Sequence, residues 1–308
     1  MIETKGMTKV FGDLVAVNDL ELRIKQGAIH GFIGPNGAGK TTTIKMLVGL
    51  LRFTNGHGLI KGLPAGSKQA RQLIGYSPER PSLYSNMTAK NYLFYMAGLS
   101  GLKKDEAKAR TNELLEWLEL AKFKDKKVGG FSAGEKQRMS LAQALVHHPE
   151  LLILDEPTAN LDPSGRISII NKLKELNSQQ NITIFISSHI LYELEKLVHS
   201  VTIIEKGQTI KEDSVERIKE GFSQDRYVVK TSDNAKVMES IKGKPYIQEI
   251  LLDASDVIYV TCADDASAMQ KDVLDVVTQH GLRLIHFGEE AINLEDIYTR
   301  SIQSGREQ

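Results

Sequence analysis

The sequence predicts an α/β fold with a buried, mostly parallel β-sheet, followed by a smaller α+β domain. Three short runs, AIHGFI (28–33), LLILD (151–155) and ITIFISS (182–188), are almost entirely apolar and rich in strand-forming residues. Helix-like segments separate these runs, and apolar strands that alternate with helices are typical of a parallel sheet covered on both faces. After about residue 220 the pattern changes, which predicts a second domain.

The first apolar run leads directly into a glycine-rich loop. GPNGAGKT (34–41) fits the pattern G-x-x-x-x-G-K-[ST] in full, with a predicted strand before it and a predicted helix, TTTIKMLVGLL, after it. The glycines let backbone N–H groups turn toward phosphate oxygens. Lys40 would add a positive charge at the β- and γ-phosphates, and the Thr41 hydroxyl can ligate Mg²⁺. The alternative is a glycine-rich turn without a ligand, but the strand–loop–helix context favours a nucleoside triphosphate site.

Residues 84–127 contain two predicted helices, around NYLFYMAGL and around DEAKARTNELLEWLEL. Leu114, Leu115 and Leu118 recur on one face of the second helix. The apolar run YLFYMAGL (92–99) has eight residues, too few for a bilayer span, which takes about 20. It is open to two interpretations, an apolar patch for a partner or the packing of a helix into the core.

A further helix begins within FSAGEKQRM (131–139). Ser132 is a good N-cap, and Glu135 three residues later completes a capping box. Ala133 and Gly134 leave the start of this helix almost bare of side chains, which lets another molecule approach the backbone closely. Helix formation alone does not require such an open start.

Two adjacent carboxylates end the predicted strand in LLILDEP. In proteins with a phosphate loop, an aspartate at this place holds Mg²⁺, and Asp155 fits that role. Side chains of adjacent residues at a strand end point in different directions, so Glu156 is free to accept a proton from an attacking water. The alternative is two solvated acids before a loop, which the upstream phosphate loop disfavours.

His189 follows ITIFISS directly, at the carboxyl end of a predicted strand. That edge is where an open α/β sheet binds its ligand, although a lone histidine is more often structural. His147 and His148, beside Pro149 at a helix end, keep the structural interpretation. No group of residues has the spacing of a zinc site.

The second predicted domain has the element order βαββαβ. YVVKTS, YIQEILLD, DVIYVTCAD and LRLIHFG indicate strands, and NAKVMESIKG and ASAMQKDVLDVVTQHG indicate helices. This order is typical of a ferredoxin-like, split-βαβ arrangement. A last helix, NLEDIYTRSI, follows with Asn293 as its N-cap. We recognise no constellation of catalytic residues in this domain.

The composition gives no sign of nucleic-acid binding. The 308 residues carry 39 Lys+Arg and 39 Asp+Glu, and 41% of them are hydrophobic, enough for a sizeable core. The basic run KFKDKK (122–127) is more typical of a solvated loop. Cys262 is the one cysteine, so no intrachain disulfide forms, and the N-terminus lacks the apolar stretch of a signal peptide. These features predict a cytoplasmic chain.

Taken together, the motifs resemble a known family. GPNGAGKTT, FSAGEKQR, LLILDEP, TANLDP and SSHIL occur in the order and approximate spacing of the ATP-binding subunits of ABC transporters. The resemblance covers residues 1–220, and the combination of these five motifs is far more specific than any one of them. It implies a P-loop NTPase fold of ABC type with a helical subdomain at about 84–145. Residues 221–308 are then an accessory domain for regulation or dimerisation.

The resemblance also implies roles for single residues. Glu156 would be the general base, Asp155 would hold Mg²⁺ through water, and His189 would be the switch histidine at the γ-phosphate, with Lys40 assisting. The Ser-x-Gly of the open helix start would bind the γ-phosphate of ATP held by a partner subunit. The residues that the resemblance implies in ATP binding are the adenine-stacking Phe11, the phosphate-loop residues Gly34, Pro35, Asn36, Gly37, Ala38, Gly39, Lys40, Thr41 and Thr42, the partner-facing Ser132 and Gly134, and Asp162, which links the two sites of a dimer.

Two positions depart from the family pattern. The usual Leu-Ser-Gly-Gly-Gln is Phe-Ser-Ala-Gly-Glu here. Because a carboxylate would repel the γ-phosphate, we expect Glu135 to fold back on its own helix start. Glu79 stands where most relatives carry a glutamine that contacts Mg²⁺ or water, so a metal contact of Glu79 is left open. A glutamate there, the ending NLEDIYTRSI and the small last domain resemble an exporter-like branch of drug, lipid and polysaccharide pumps.

These observations lead us to expect an ATP-hydrolysing subunit of an ABC exporter that uses ATP and Mg²⁺. Its partners would be a second ATP-binding subunit, either another copy or a close relative, and a separate transmembrane permease subunit that docks near residues 84–120 on the inner face of the membrane. One alternative is a non-transport ABC ATPase acting on ribosomes or DNA, but the chain lacks the second ATP-binding domain or the long coiled coil that those usually carry. Another is an ATP-switched regulatory protein, which the intact Glu156 and His189 disfavour.

Overall fold

The computed structural model describes residues 1–222, 226–262, 266–290 and 293–299, without the side chains of 220–222. The chain divides into two compact units: Met1–Val215, to which Tyr298 and Thr299 also belong, and Glu216–Ile297. The division falls at the first residues of a helix, close to the place where the sequence pattern changes. The larger unit contains two sheets and the smaller unit one, and each unit has its own buried apolar cluster.

The larger unit combines strands and helices in the alternating order expected of an α/β fold. Its strands are β1 (Ile2–Phe11), β2 (Leu14–Ile24), β3 (Ile29–Ile33), β4 (Asn55–Ile60), β5 (Leu63–Pro64), β6 (Ile74–Ser77), β7 (Leu151–Asp155), β8 (Thr183–Ser188), β9 (Ser200–Glu205) and β10 (Gln208–Ser214). Its helices are α1 (Lys40–Leu47), α2 (Lys68–Gln72), α3 (Ala89–Leu99), α4 (Lys104–Trp117), α5 (Ala133–Leu145), α6 (Pro163–Gln180) and α7 (Leu191–Glu195), with 3₁₀ turns at Ala121–Phe123 and Val128–Gly130.

A central sheet of six strands has the order β10-β9-β3-β8-β7-β6. All neighbours are parallel except β10, which pairs antiparallel with β9 at the edge. The three predicted apolar strands are confirmed as β3, β7 and β8, and every residue in them is buried. They are direct neighbours, with Ile33 beside Ser188 and Asp155 beside Ser187. Their carboxyl ends therefore meet at one edge, where open α/β sheets bind ligands.

A second sheet, antiparallel in the order β2-β1-β4-β5, was not predicted from the sequence. The pairing of β1 with β2 is interrupted by register shifts, the first between Thr4 and Met7, where Gly6 has a φ of 63°. Such irregularities break the strict two-residue alternation that would mark these strands in the sequence. The sheet shares one buried apolar cluster with α1 and the central sheet, in which Met7 and Phe32 both take part.

The segment between β6 and β7 is helical, and the two helices expected within 84–127 are confirmed as α3 and α4. Leu114, Leu115 and Leu118 are all buried, as their spacing predicts. On α3, Tyr92 and Leu93 are buried, so part of the apolar run packs into the core. The exposed apolar side chains of α3 are Phe94, Tyr95 and Leu99.

The smaller unit has the predicted element order βαββαβ. After α8 (Val215–Phe222) come β11 (Arg226–Thr231), α9 (Asn234–Ile241), β12 (Ile247–Leu252), β13 (Ile258–Cys262), α10 (Ser267–Gln279) and β14 (Leu284–Glu289). The strands form an antiparallel sheet in the order β12-β13-β11-β14. Cys262 is buried in the apolar cluster between this sheet and its helices, with its thiol 3.6 Å from the Met269 sulfur.

A short helix over 294–299 follows the smaller sheet. The Asn293 side chain accepts hydrogen bonds from the N–H groups of Glu295 (2.8 Å) and Asp296 (2.9 Å), which confirms its predicted role as the N-cap. The predicted continuation of this helix into RSI lies outside the described residues.

Candidate functional site

The glycine-rich loop connects β3 to α1 at the ligand-binding edge of the central sheet. Gly37 and Gly39 have φ values of 83° and 104°, which residues with a side chain rarely adopt. A Cβ atom added to Gly34 would lie 2.3 Å from the Ile204 carbonyl oxygen, and one added to Gly39 would lie 2.6 Å from the Ala16 carbonyl oxygen. Beside Gly37 the corresponding space is open. The loop therefore needs glycine to form, and it presents bare backbone at one side.

Lys40 begins α1 and turns its buried side chain back over the loop. Its ammonium donates hydrogen bonds to the carbonyl oxygens of Gly34 (2.7 Å) and Pro35 (3.2 Å). It also lies 3.3 Å from Oε1 of Glu156, which belongs to the segment after β7. The lysine is thus held inside the loop, at the place where a phosphate group bound by the loop would arrive.

Asp155 and Glu156 are both buried and point to different partners. One Asp155 oxygen, Oδ2, accepts a hydrogen bond from the Thr41 hydroxyl at 2.9 Å, and the other, Oδ1, accepts one from the Ser187 hydroxyl at 2.7 Å. Glu156 has a φ of 49°, a left-handed conformation that is uncommon for a residue with a side chain. The two carboxylates therefore have different partners, as the sequence predicts.

His189 is the third group at this edge. Its Nδ1 lies 2.8 Å from Oε2 of Glu156, and its backbone N–H donates to the same oxygen at 3.3 Å. Glu156 therefore lies between the Lys40 ammonium on one side and the His189 ring on the other. The structure brings together the predicted catalytic residues, although they are far apart in the chain.

A cleft of about 470 Å³ opens over the phosphate loop and reaches Glu156, whereas Asp155 and His189 are not among its lining residues. Phe11 and Glu79, which are predicted site residues outside the phosphate loop, both line this cleft. Ala38, which we expected among the ATP-binding residues, packs its side chain into the core at 2% exposure, so a contact of this residue with nucleotide would use its backbone. The lining residues are Phe11, Leu14, Val15, Ala16, Pro35, Asn36, Gly37, Gly39, Lys40, Thr41, Thr42, Glu79, Glu156 and Lys206.

The remaining predicted residues, Ser132, Gly134 and Asp162, lie together in a different cleft of about 240 Å³. Ser132 caps α5 in the predicted capping box: its Oγ accepts the Glu135 N–H at 3.2 Å, and Glu135 Oε2 accepts the Ser132 N–H at 2.8 Å. The expectation that Glu135 folds back on its own helix is confirmed. Asp162 caps α6 by accepting the Gly165 N–H at 3.3 Å.

Several residues of the site were missed by the sequence patterns. The Ser187 hydroxyl donates to Asp155 and also accepts the Glu156 N–H at 3.1 Å, so it orients the Asp155 carboxylate and holds the backbone of Glu156. Leu14, Val15 and Lys206 line the phosphate-loop cleft. The serines of ITIFISS stand directly before His189, and that adjacency was the one signal that could have indicated Ser187.

His147 has the structural role expected of it. A ring nitrogen lies 3.1 Å from the Ile74 carbonyl oxygen, and burial lowers the pKa of the ring. Within the described ranges, no group of three or more His, Cys, Asp or Glu side chains is placed to hold a metal ion. In the same part of the chain, no helix is both long enough and apolar enough to cross a bilayer.

Comparison with known proteins agrees with this geometry. Residues 17–159 match the ABC transporter family. The chain is 44% identical over 221 residues to the bacitracin transport ATP-binding protein BcrA of Bacillus licheniformis, covering 71% of each chain. It is 33% identical over 309 residues to the Nod factor export ATP-binding protein I of Burkholderia orbicola, covering 99% of this chain and 97% of that one. A solved ATP-binding subunit of an ABC transporter has a TM-score of 0.66 at 28% identity, covering 72% of this chain and 93% of its own.

A phosphate loop, with two carboxylates and a histidine at the ends of neighbouring strands, defines a P-loop ATPase. The chain belongs to the family of ABC transporter ATP-binding proteins. It is an ATP-hydrolysing subunit of an ABC transporter, as its motifs predict, and one of these two relatives is named for export. ATP-binding subunits of this kind work as dimers together with a transmembrane component.

Proposed function

We propose that ATP binds in the phosphate-loop cleft of one subunit and is closed over by the Ser132 cleft of a second subunit, which is another copy or a close relative. The observation that supports this arrangement is the separation of the two clefts. The phosphate loop and Glu156 line one of them, whereas Ser132, Gly134 and Asp162 line the other. A partner subunit would complete each cleft by supplying the residues of the other one. The exposed N–H groups at the start of α5 suit an anion.

Within this arrangement each lining residue has a chemical task. Backbone N–H groups of the phosphate loop, in which Pro35 has none to offer, and the Lys40 ammonium bind the phosphates. Phe11, 44% exposed at the end of β1, stacks on the adenine ring. Asp162 connects the two sites of the dimer. Lys40 exchanges its present contacts with loop carbonyls for phosphate oxygens when the nucleotide enters.

The chemistry of the site suits Mg²⁺. Thr41 and Asp155 offer oxygen atoms 2.9 Å apart, and hard cations prefer hydroxyl and carboxylate oxygens. We infer that the Thr41 hydroxyl binds the ion directly and that Asp155 holds it through water. Glu79 lines one cleft together with Thr41 and Asp155 and is a further oxygen donor. When bound, Mg²⁺ neutralises charge on the β- and γ-phosphate oxygens.

Hydrolysis then depends on Glu156. Its carboxylate accepts a proton from a water whose oxygen attacks the γ-phosphorus, while the bond from that phosphorus to the bridging oxygen breaks and ADP leaves. His189 holds the Glu156 carboxylate and contacts the γ-phosphate. The buried position of Glu156 between Lys40 and His189 is the single observation that carries this assignment.

The wider assembly follows from the family. We propose that closure and opening of the dimer drive a separate transmembrane permease subunit of an exporter. That partner would hold the chain on the inner face of the membrane. Nucleic acid would take no part in this function. Residues 1–220 would be the ATP-binding domain, with a helical subdomain at about 84–145 whose segment 84–120 docks on the permease. Residues 221–308 would serve regulation or dimerisation.

The test is the Glu156→Gln variant, which keeps the shape of the side chain but removes the base. We expect ATP turnover to fall about 100-fold or more and a dimer to accumulate in Mg-ATP, measured by light scattering. Glu116→Gln on the exposed face of α4 is the matched control and should behave like the parent chain. A Glu156→Gln chain that stays monomeric at saturating Mg-ATP would overturn the proposal.

A further inference from the structure

Glu135 places a negative charge at the start of α5, where the proposed function brings the triphosphate of a partner subunit. The capping box turns the carboxylate back on its helix, with Oε2 2.8 Å from the Ser132 nitrogen, but it does not remove the charge. The same carboxylate helps to line the cleft of Ser132 and Gly134. A bare carboxylate at this place would oppose the binding of a phosphate.

Lys126 is the cation that the structure sets against this charge. Its ammonium lies 3.5 Å from Glu135 Oε2. It also lies 5.2 Å from the centre of the Phe123 ring and 5.4 Å from the centre of the Phe131 ring, within the range of cation–π attraction. The two rings are 6.0 Å apart, so both of them border the ammonium.

The backbone of Lys126 is fixed as well as its side chain. Its N–H donates to the Phe123 carbonyl at 2.9 Å, and its carbonyl accepts the Ala89 N–H at 3.1 Å. An ordinary exposed ion pair contributes little, because two long side chains must be ordered to form it. Here the aromatic rings and the backbone contacts reduce that entropic cost, so the ammonium stays near the carboxylate.

We propose that Lys126 is a positioning residue that neutralises Glu135, so that the start of α5 accepts the triphosphate of the partner subunit in spite of the carboxylate. The inference deepens the proposed function and rests on it. It also accounts for the glutamate at a place where the family usually has glutamine: the chain keeps a capping box there and offsets its charge with a lysine from the preceding loop.

The test uses full-length chains that carry Glu156→Gln, and it measures the ATP concentration that gives half-maximal dimer. Lys126→Met should raise this concentration about three- to tenfold, since it leaves one uncompensated charge a few ångströms from a polyanion. Lys126→Met combined with Glu135→Gln should return it to within about twofold of the starting chain. Lys124→Met, in the same basic run, is the matched control and should cause no change.

Two further measurements separate charge from structure. Lys126→Arg should keep the starting value, since it keeps the cation. The effect of Lys126→Met should shrink as salt is raised from about 0.05 M to 0.5 M, because salt screens exposed charges. An unchanged unfolding transition, followed by the fluorescence of Trp117, shows that the variants are folded.

The outcomes distinguish the two proposals. A Glu156→Gln chain that does not dimerise overturns the proposed function and this inference with it. A dimer that forms equally well with Lys126→Met overturns the inference alone. Failure of Glu135→Gln to restore the Lys126→Met chain also overturns it, because Lys126 would then bind phosphate directly.

Discussion

Replacing Ser187 with alanine should destabilise the larger unit and weaken its binding of Mg-ATP at the same time. The Ser187 hydroxyl donates to Asp155 Oδ1 at 2.7 Å and accepts the Glu156 N–H at 3.1 Å. The Glu156 N–H also reaches the Ser187 carbonyl oxygen at 3.2 Å, so it keeps an acceptor in the variant. The net loss is therefore the hydrogen bond to the Asp155 carboxylate.

The size of the effect follows from burial and charge. A hydrogen bond to a charged group contributes about 1.5–3 kcal/mol, and Ser187 at 0% and Asp155 at 1% exposure leave little access for a replacing water. We expect the free energy of unfolding to fall by about 2 kcal/mol and the melting temperature by about 4–8 °C. Asp155 also loses one of its two orienting contacts, so the KM for Mg-ATP should rise about tenfold.

The unfolding can be followed without any added probe. Trp117 is the only tryptophan of the chain and ends α4, so its fluorescence in urea reports on the larger unit. Ser178→Ala, an exposed hydroxyl on α6, is the control and should change the free energy of unfolding by less than about 0.5 kcal/mol. If Ser187→Ala were as stable as this control and kept the KM of the parent chain, the reasoning would be refuted.

Two other predictions concern the phosphate loop and the smaller unit. Gly39→Ala should abolish ATP binding in calorimetry, because its Cβ would lie 2.6 Å from a carbonyl oxygen of β2. The control is Gly62→Ala, which is also at positive φ but in open space. It should lower the free energy of unfolding by only about 1 kcal/mol and bind ATP normally. In the smaller unit, the hydrogen bond from the Tyr246 hydroxyl, together with the Lys244 ammonium 3.1 Å away, lowers the pKa of Asp272. The ionised Asp272 therefore stabilises the fold at neutral pH, and this contribution is lost as the pH falls through the lowered pKa. Tyr246→Phe should raise that pKa in an NMR titration, and an unchanged value would contradict the assignment.

The parts of the fold that the sequence predicts are those that local chemistry determines. The strands β3, β7 and β8 are continuous apolar runs because both faces of the central sheet are covered. The capping box of Ser132 and Glu135 involves residues three apart, so its partners are visible in the sequence itself. The phosphate loop is predictable for the same reason, since a contiguous pattern of glycines fixes its backbone.

The parts that were not predicted depend on contacts between distant segments. In β1 and β2 the irregular register hides the alternation of buried and exposed residues, so the pattern does not show an antiparallel sheet. The role of Ser187 depends on β8 lying beside β7, which places its hydroxyl against Asp155. Apart from its position just before His189, nothing in the sequence distinguishes this serine from an ordinary strand residue.

The single cysteine has a practical consequence for experiments on the smaller unit. Cys262 is 1% exposed in the apolar cluster of that unit, so a thiol reagent reaches it only when the cluster opens. Since the chain has no other thiol, the rate of its modification measures this opening directly, with no background from the ATP-binding unit. If nucleotide or a second subunit makes opening of the smaller unit less frequent, the Cys262 thiol will be labelled more slowly.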